Sequence, residues 1–421
     1  MEPKLKSNGG KIAAQLMVGP EQLAHFGETG ILACLDYVLD ALAPLELILS
    51  ITDSSSDLAR KITERCDRAG TRVSLWVMVF ADRPAALTFF PNVQDAEGRM
   101  GYGSTGAWEN IGKGDEKFLF HCPSAMGKDE KGIESALWAA KSIGARGIFL
   151  DRIRYPSPAN GLEFMSACSC PLCKEAYREW SGEEWPDLAS LFVRHAAHGI
   201  GSPQAFLESA EKAFQFRSRM VNNAVARYAD AAHAEGLSVG LDLFAPSLAG
   251  FVGQDYRSLS RHADFMKPML YCKAWAPAGM PLEFFLMMKG LEESGVDASK
   301  AVNFVSELSG IDRENLGAVR RKGNFPASLA ASELLRCQRK IDPAAAPKPE
   351  IYAGIELVQH EAYNTQIDDG VRDSYLESLE GQNIAVCWNI LYVPKRHIDA
   401  IASMDAIASI DAMSPHHEDS K

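Results

Sequence analysis

No stretch of about 18 consecutive apolar residues occurs in this 421-residue chain, so a transmembrane helix is not expected. Basic residues are also too few for a surface that binds nucleic acid. The formal net charge is −12, and no block rich in lysine or arginine is present. Residues 1–10 lack the apolar core of a signal peptide. These absences predict a cytoplasmic protein that binds neither nucleic acid nor membrane.

Cysteine is scarce as well, and nine residues in a chain of this length do not make a disulfide scaffold. Five of them are scattered through apolar segments, and we expect them to be reduced core thiols: Cys34, Cys66, Cys272, Cys337 and Cys387.

The fingerprints of several enzyme classes are missing. No G-x-G-x-x-G motif and no P-loop follows the first predicted strand, which disfavours a nucleotide-binding sheet. No H-x-H or H-E-x-x-H pattern accompanies a strand, which disfavours a metal-dependent hydrolase acting on another kind of substrate.

The chain does contain a regular alternation of short apolar strands and amphipathic helices. Strands are predicted at residues 12–18, 45–52, 72–80, 147–153, 237–244, 264–271, 350–358 and 383–391. Their nearly continuous apolar character is typical of parallel strands covered on both faces. Eight strand–helix units predict an α/β fold, a (β/α)8 TIM-type barrel rather than an open doubly wound sheet.

One segment, residues 301–308, could be a ninth strand. A helix is the better interpretation, because Asp297 is a suitable N-cap and apolar residues recur every three or four positions. Long loops are predicted after strand 3 (81–127) and after strand 4 (154–211). Residues 1–413 are predicted to form a single barrel domain, with 414–421 as a disordered tail.

The loop after strand 4 carries a tight C-x-C-x-x-C cluster formed by Cys168, Cys170 and Cys173. Three thiolates at this spacing can bind one metal ion, and tetrahedral zinc needs a fourth ligand. Cys122 in the loop after strand 3 is the candidate, with His121 beside it as the alternative. A closed four-thiolate site has no open position, so the zinc would be structural and would fix the long loop. The other interpretation is three reduced thiols.

Carboxylates end several of the predicted strands. Asp151 ends strand 4, Asp242 lies in strand 5 and Glu356 lies in strand 7. A charged side chain at the end of an apolar strand is costly unless it is paired or used. In a barrel, that end of the strands carries the active site. Glycoside hydrolysis needs two such carboxyl groups.

The order of Cys122 and then Cys168-Ser169-Cys170-Pro171-Leu172-Cys173 resembles the zinc cluster of glycoside hydrolase family 42 β-galactosidases. In that family one cysteine comes from an earlier loop and three follow the strand 4 acid. Residues 147–156 (GIFLDRIRYP) resemble uncharacterised glycoside-hydrolase-like barrels, in which a strand 4 aspartate precedes an Arg-Tyr-Pro turn. Residues 240–246 and 264–271 extend this second resemblance.

The two resemblances imply a sugar-cleaving barrel with a structural zinc. They also imply self-association, since the family 42 enzymes are trimers. Family 42 carries an Asn-Glu pair at the end of strand 4, where this chain has Leu150-Asp151. A β-galactosidase-like activity is therefore one option within a broader glycosidase class.

Two assignments of the carboxyl groups stay open. By likeness to the large clan of retaining barrel glycosidases, Asp151 would be the acid/base and Glu356 the nucleophile. In the rival assignment Asp151 is the nucleophile and Asp242 the acid. A structural interpretation remains, in which Asp151 only pairs with Arg152 or Arg154. A gap of about 5–5.5 Å between the carboxyl groups predicts retention, and one of about 6.5–9.5 Å predicts inversion.

Aromatic and polar side chains near the strand ends are expected to form the sugar pocket, because sugars present apolar C–H faces as well as hydroxyl groups. Lys267 interrupts the apolar strand 6, and a buried lysine is costly without a partner, so it is expected to pair with Asp242. The predicted substrate-binding residues are Gln15, Trp76, Arg154, Tyr155, Phe244, Lys267, Tyr271, Trp275, Trp388 and Asn389.

Together these features predict a cytoplasmic glycoside hydrolase that cleaves small oligosaccharides or glycosides. The alternative is a non-catalytic barrel that binds carbohydrate.

Overall fold

The fold is a closed (β/α)8 barrel of parallel strands. The computed structural model describes residues 10–52, 57–88, 90–101, 118–198, 203–360, 365 and 367–411. The strands are β1 Ile12–Val18, β2 Glu46–Ile51, β3 Arg72–Met78, β4 Gly147–Asp151, β5 Ser238–Phe244, β6 Phe265–Met269, β7 in two segments (Glu350–Ile351 and Ala353–Glu356) and β8 Ile384–Cys387. Each strand pairs with the next, and β8 pairs with β1 to close the ring.

Large side chains fill the barrel interior because the strands are buried on both faces. The ring of Phe149 on β4 stacks on Phe265 of β6, with centroids 5.7 Å apart. Gly240 on β5 makes room for this pair, since a Cβ there would lie 2.1 Å from the Phe265 ring. The interior is therefore a packed core, and the space for a ligand lies above it, at the strand ends.

Helices surround the barrel and occupy its long connections. They are α1 Pro20–Leu42, α2 Asp57–Ala69, α3 Pro123–Met126, α4 Glu130–Ser142, α5 Pro171–Ser181, α6 Leu188–His198, α7 Pro203–Ala234, α8 Tyr256–Leu259, α9 Met280–Glu293, α10 Ala298–Ser309, α11 Arg313–Arg320, α12 Leu329–Lys340, α13 Asp369–Ser378 and α14 Lys395–Asp411. Within the described ranges, no helix combines the length and apolarity that crossing a membrane requires.

The predicted barrel is confirmed, and every observed strand lies within its predicted range. The ambiguous segment 301–308 belongs to α10, and the Asp297 side chain caps this helix by accepting from the backbone N–H groups of Ser299 and Lys300. The connection after β4 is more ordered than a loop, because it contains α5, α6 and the first turns of α7. The predicted tail, 414–421, lies outside the described residues.

Candidate active site and metal centre

A cleft opens at the C-terminal ends of the barrel strands. Its walls come from β1, β3, β4, β5, β6 and the segments that follow β3, β4, β6 and β8. The lining residues are Met17, Trp76, Phe118, Asp151, Arg152, Arg154, Asp242, Phe244, Met269, Ala276, Pro277, Ala278 and Trp388. The cleft therefore combines two carboxyl groups and two guanidinium groups with a mainly apolar and aromatic lining.

Asp151, the last residue of β4, faces this cleft and is held by groups on either side. The Trp76 indole N–H donates to Oδ2 at 2.9 Å, and the backbone N–H of Arg152 donates to Oδ1. Burial raises the pKa of Asp151, while the Trp76 hydrogen bond and the charge of Lys267 act in the opposite direction. Asp151 thus has a fixed orientation and a pKa above its ordinary value.

Asp242, on the neighbouring strand β5, lines the same cleft. Its Oδ1 lies 3.1 Å from Nζ of Lys267, so the predicted pairing of these two residues is observed. Burial raises the pKa of Asp242 to about 7; Lys267 lowers it in part, and the nearby charge of Asp151 raises it further. A carboxyl group with this pKa carries a proton in a substantial fraction of molecules at neutral pH.

Lys267 lies beneath the cleft, fully buried in the barrel. Its Nζ donates to Oη of Tyr271 at 2.8 Å and to Oε1 of Gln15 at 3.3 Å. Burial by itself would lower the pKa of Lys267, but Asp242 and the other nearby acidic groups raise it above the ordinary value. Gln15 and Tyr271, both predicted to bind substrate, therefore hold the ammonium group in place below the cleft.

Glu356, at the end of β7, is buried and does not line the cleft. Its Oε1 accepts the backbone N–H of Lys273 at 2.6 Å, and Oη of Tyr375 lies 3.0 Å from both carboxylate oxygens. Burial raises its pKa to about 7. These contacts fix the chain segment after β6 against α13, and the structure does not bring Glu356 to the cleft beside Asp151.

The guanidinium group of Arg154 lines one side of the cleft. Its Cζ lies 4.4 Å from the ring centre of Phe120 and 4.5 Å from that of Phe244, and Nη1 donates to the carbonyl oxygen of Tyr155 at 3.0 Å. Two aromatic faces at these distances bind the cation and fix its plane. Arg154 can then offer its remaining N–H groups in one defined direction.

Four of the predicted binding residues line the cleft: Trp76, Arg154, Phe244 and Trp388. Trp275 does not line the cleft, and its indole N–H donates to Oδ1 of Asn324 at 2.7 Å. Asn389 does not line the cleft either. Its Nδ2 donates to the carbonyl oxygen of Met17 at 2.8 Å, and its Oδ1 accepts from Leu391. Both the NH₂ group and the oxygen of the Asn389 amide therefore bind the backbone and stabilise the turn after β8.

Two cleft residues, Arg152 and Phe118, were missed as binding residues by the sequence analysis. The Arg152 guanidinium pairs with Asp82 and lies 4.3 Å from the ring centre of Phe118. Arg152 has a left-handed backbone conformation, with φ of 56°, which turns its side chain back over the loop that follows β3. No pattern in the sequence signals this conformation, because arginine rarely adopts it.

A third residue, Glu283 on α9, was also missed. It is buried and accepts hydrogen bonds from Oγ of Ser157 at 2.9 Å and from the backbone N–H groups of Ala159 and Ala278 at 2.8 Å each. It therefore joins the segment after β4 to the segment after β6 behind the cleft. The signal was available, since Glu283 is an acidic residue inside the apolar run 280–288.

The four predicted metal ligands come together. Cys122, Cys168, Cys170 and Cys173 are all buried, and their sulfur atoms lie within 4.8 Å of one another. The Cys122 sulfur is 3.2 Å from that of Cys173 and 3.7 Å from that of Cys170. Zinc bound at 2.3 Å by four thiolates places the sulfur atoms about 3.8 Å apart. The donor set and its spacing therefore fit a tetrahedral metal ion.

His121 does not belong to this cluster, since its Nδ1 lies 3.0 Å from the carbonyl oxygen of Phe90. The fourth sulfur comes from Cys122, at the start of α3, as predicted. The cluster joins the connection after β3 to the one after β4. Phe120, two residues before Cys122, is one of the rings against Arg154, so the cluster supports one wall of the cleft.

Comparison with protein-family models found no match, and comparison with curated proteins found none. Among solved structures, the chain is similar to a chitinase from Chromobacterium violaceum (10% identity, 94% of this chain and 99% of that one, TM-score 0.39). It is also similar to the glycoside hydrolase domain of PelA from Pseudomonas aeruginosa (12% identity, 90% and 96%, TM-score 0.36). A third is the α-N-acetylgalactosaminidase NagBb from Bifidobacterium bifidum (8% identity, 95% and 51%, TM-score 0.39). With TM-scores below 0.5, these likenesses carry no argument about function, which has to come from the cleft.

The ion pair beneath the cleft yields a test of stability. Lys267→Met leaves the Asp242 carboxyl group buried without its counter-charge, so the free energy of unfolding should fall by about 3–5 kcal/mol at neutral pH. The loss should be larger at pH 8 than at pH 5. At pH 5, below the folded pKa of about 7, Asp242 is protonated with or without Lys267, whereas at pH 8 only the wild type has Lys267 to stabilise the ionised carboxylate. Urea denaturation followed by circular dichroism measures both values.

The control is Lys289→Met, which removes an exposed ion pair of 3.5 Å with Glu293. An exposed pair of this kind contributes about 0–0.5 kcal/mol. If Lys267→Met and Lys289→Met had the same free energy of unfolding, Lys267 would not be acting as the counter-charge of Asp242 in the barrel interior.

Proposed function

We propose that this barrel is a glycoside hydrolase that uses Asp151 and Asp242 as its two carboxyl groups. One observation carries the proposal: both side chains lie at the C-terminal ends of neighbouring strands and line the same aromatic cleft. Two carboxyl groups that face one cavity are what hydrolysis of a glycosidic bond requires.

The surroundings of the two acids support the assignment in which Asp151 is the nucleophile and Asp242 the acid. Asp151 accepts N–H groups from Trp76 and Arg152, and such hydrogen bonds favour the ionised carboxylate. The raised pKa of Asp242, about 7, suits a group that protonates the leaving oxygen near neutral pH. Glu356 fits less well as nucleophile, since Lys273 and Tyr375 already bind its oxygens.

The rest of the cleft suits a sugar of neutral character. Trp76 and Trp388 offer flat apolar surfaces for C–H faces, and the guanidinium group of Arg154, held between Phe120 and Phe244, offers N–H groups to a hydroxyl oxygen. As positive charge develops on the sugar ring, the carboxylate of Asp151 would stabilise it. Small glycosides or short oligosaccharides are the proposed substrates.

We further propose that the four cysteines hold a structural zinc ion. Four thiolates complete its coordination, so the ion would hold the two long connections together and leave no position for substrate. Ser169, between two of the ligands, already links these connections by donating its backbone N–H to the carbonyl oxygen of Gln94 at 2.8 Å. The ion would add a far stronger link at the same place.

Replacement of the acids tests the catalytic assignment. Asp151→Asn and Asp242→Asn should each lower kcat on a cleaved glycoside by at least about 1,000-fold, because each removes a group that acts in the transition state. Turnover of nitrophenyl glycosides and natural oligosaccharides measures this, after a panel screen of the wild-type protein has identified a substrate.

Glu356→Gln serves as the matched control and should keep activity within about tenfold of the wild type. The reverse pattern, with Glu356→Gln inactive and Asp242→Asn active, would instead favour the assignment with Glu356 as nucleophile. A wild-type protein that binds sugars without cleaving any would contradict the hydrolase proposal and favour the non-catalytic carbohydrate-binding barrel.

The raised pKa of Asp242 predicts the alkaline limb of the pH profile. As the pH rises through about 7, Asp242 loses the proton that the leaving group needs, so kcat/KM should fall above that pH. The measurement is kcat/KM between pH 5 and 9 on one glycoside. A rate that keeps rising through pH 8 would contradict the acid role of Asp242.

Metal analysis tests the proposed zinc. Elemental analysis of the purified protein should find about one zinc per chain, and removal by a strong chelator should lower Tm because the two connections lose their link. Cys170→Ser should bind zinc more weakly, whereas Cys34→Ser, at a thiol outside the cluster, should bind it like the wild type. A metal-free protein with an unchanged Tm in chelator would contradict the site.

A further inference from the structure

Asp82, in the connection after β3, is an acidic residue beside the cleft that the proposed chemistry does not use. Its carboxylate pairs with the guanidinium group of Arg152, and its Oδ2 accepts the backbone N–H of Phe118 at 3.1 Å. Arg152 and Phe118 both line the cleft, whereas Asp82 does not. Asp82 therefore lies behind two cleft residues and contacts both of them.

The backbone of these three residues is strained. Asp82, Phe118 and Arg152 have left-handed conformations, with φ of 49°, 49° and 56°. Residues other than glycine rarely adopt this conformation, and those that do are often found at functional sites. The Arg152 side chain is held on two sides, because its guanidinium group pairs with Asp82 and its Cζ lies 4.3 Å from the ring centre of Phe118.

Arg152 also has a second carboxylate within reach. Its Nε lies 3.7 Å from Oδ2 of Asp151, the proposed nucleophile. Hydrogen bonds between arginine and a carboxylate are shorter, about 2.7–2.9 Å. The Arg152 side chain is only 6% exposed, so its charge needs a close partner. Asp82 is that partner, and Asp151 has only the longer contact with the same charge.

We propose that Asp82 is a positioning residue that binds the guanidinium group of Arg152 and so prevents it from closing on Asp151. This inference rests on the proposed role of Asp151 as the nucleophile. An arginine bound to Asp151 through two hydrogen bonds would occupy both carboxylate oxygens and stabilise the charge that has to attack the sugar. Because Asp82 binds the cation, Asp151 remains a wall of the cleft that substrate can reach.

Other charged groups act on Asp151 from the neighbouring elements. Lys267 on β6 and Arg154 after β4 lower its pKa, while burial raises it, and Asp242 on β5 is a second acid in the same cleft. A variant of Asp82 leaves all of these groups in the protein. Such a variant therefore tests what the pairing of Asp82 with Arg152 contributes.

Asp82→Asn keeps an oxygen atom for the N–H of Phe118 and removes only the charge. Arg152 should then bind Asp151, so kcat on a cleaved glycoside should fall at least about tenfold, while KM should change by less than about threefold. The acidic limb of the kcat/KM profile should move to lower pH by about one pH unit, because a closer cation favours the ionised carboxylate. Steady-state kinetics between pH 4 and 9 measures both effects.

The double variant Asp82→Asn/Arg152→Gln separates positioning from the loss of a structural ion pair. Its kcat should be at least about fivefold higher than that of Asp82→Asn, because the cation that blocks Asp151 has been removed. Its acidic limb should return towards that of the wild type. If the ion pair were only structural, Arg152→Gln would not raise the activity of Asp82→Asn.

Asp129→Asn is the matched control. Asp129 forms a buried ion pair of 2.6 Å with Arg83, and neither residue lines the cleft. Loss of this charge should lower Tm but leave the acidic limb of the pH profile where it is in the wild type. If Asp82→Asn cannot be purified, Arg152→Gln decides. Its acidic limb should move to higher pH, and an unchanged limb would overturn the inference.

The indole N–H resonance of Trp76 gives a measurement that needs no substrate, because this group donates to Oδ2 of Asp151 at 2.9 Å. In ¹⁵N-labelled protein, the midpoint of its titration should be lower in Asp82→Asn than in the wild type. An unchanged midpoint, or a double variant no more active than Asp82→Asn, would overturn the inference. A shifted midpoint in a protein that cleaves no glycoside would overturn the proposed function instead, so the two failures are distinguishable.

Discussion

The ion pair between Lys267 and Asp242 is the constraint on which the centre of this barrel depends. Two charges in a packed interior cost several kcal/mol each in lost hydration, and only a close partner with further hydrogen bonds offsets that cost. The side chains around the pair follow from this need. Gln15 and Tyr271 contribute their oxygen atoms to the ammonium group, so they face inward even though both could have served a ligand.

The same pair influences the protonation of Asp242, which lines the cleft. Lys267 lowers the pKa of Asp242 only in part, so burial still leaves that pKa near neutrality. Burial raises the pKa of Asp151, one strand away, as well, while the N–H donors of Trp76 and Arg152 and the charge of Lys267 lower it in part. The two carboxyl groups thus differ in what holds them, N–H donors for Asp151 and the ammonium group of Lys267 for Asp242, and the proposed roles of nucleophile and acid use this difference.

Much of the fold could be predicted from the sequence, because the signals are local. The strands are runs of apolar residues, and α10 is marked by Asp297, whose capping hydrogen bonds involve residues two and three positions away. The cysteine site combines one local motif with one longer step. Cys122 could be added to the C-x-C-x-x-C cluster because neighbouring strands bring their following loops together.

The roles of single side chains at the rim were harder to predict. The rule that active sites lie at strand ends selects Asp151, Asp242 and Glu356 alike, but it does not say which way each one turns. Tyr375 on α13 donates a hydrogen bond to Glu356, and no periodic pattern in the sequence predicts that contact. Trp275 is likewise held by Asn324, a residue 49 positions away. Orientation depends on such distant partners, which sequence patterns do not encode.

Glu283 has a consequence for how the barrel could vary. One carboxylate accepts hydrogen bonds from Ser157 and Ala159 on one connection and from Ala278 on another. An insertion or deletion in either connection would remove a hydrogen bond from the buried carboxylate of Glu283. The lengths of the two connections therefore depend on each other. Variation of the segments around the cleft should therefore proceed through paired changes in these two connections, or through the other segments, which Glu283 does not contact.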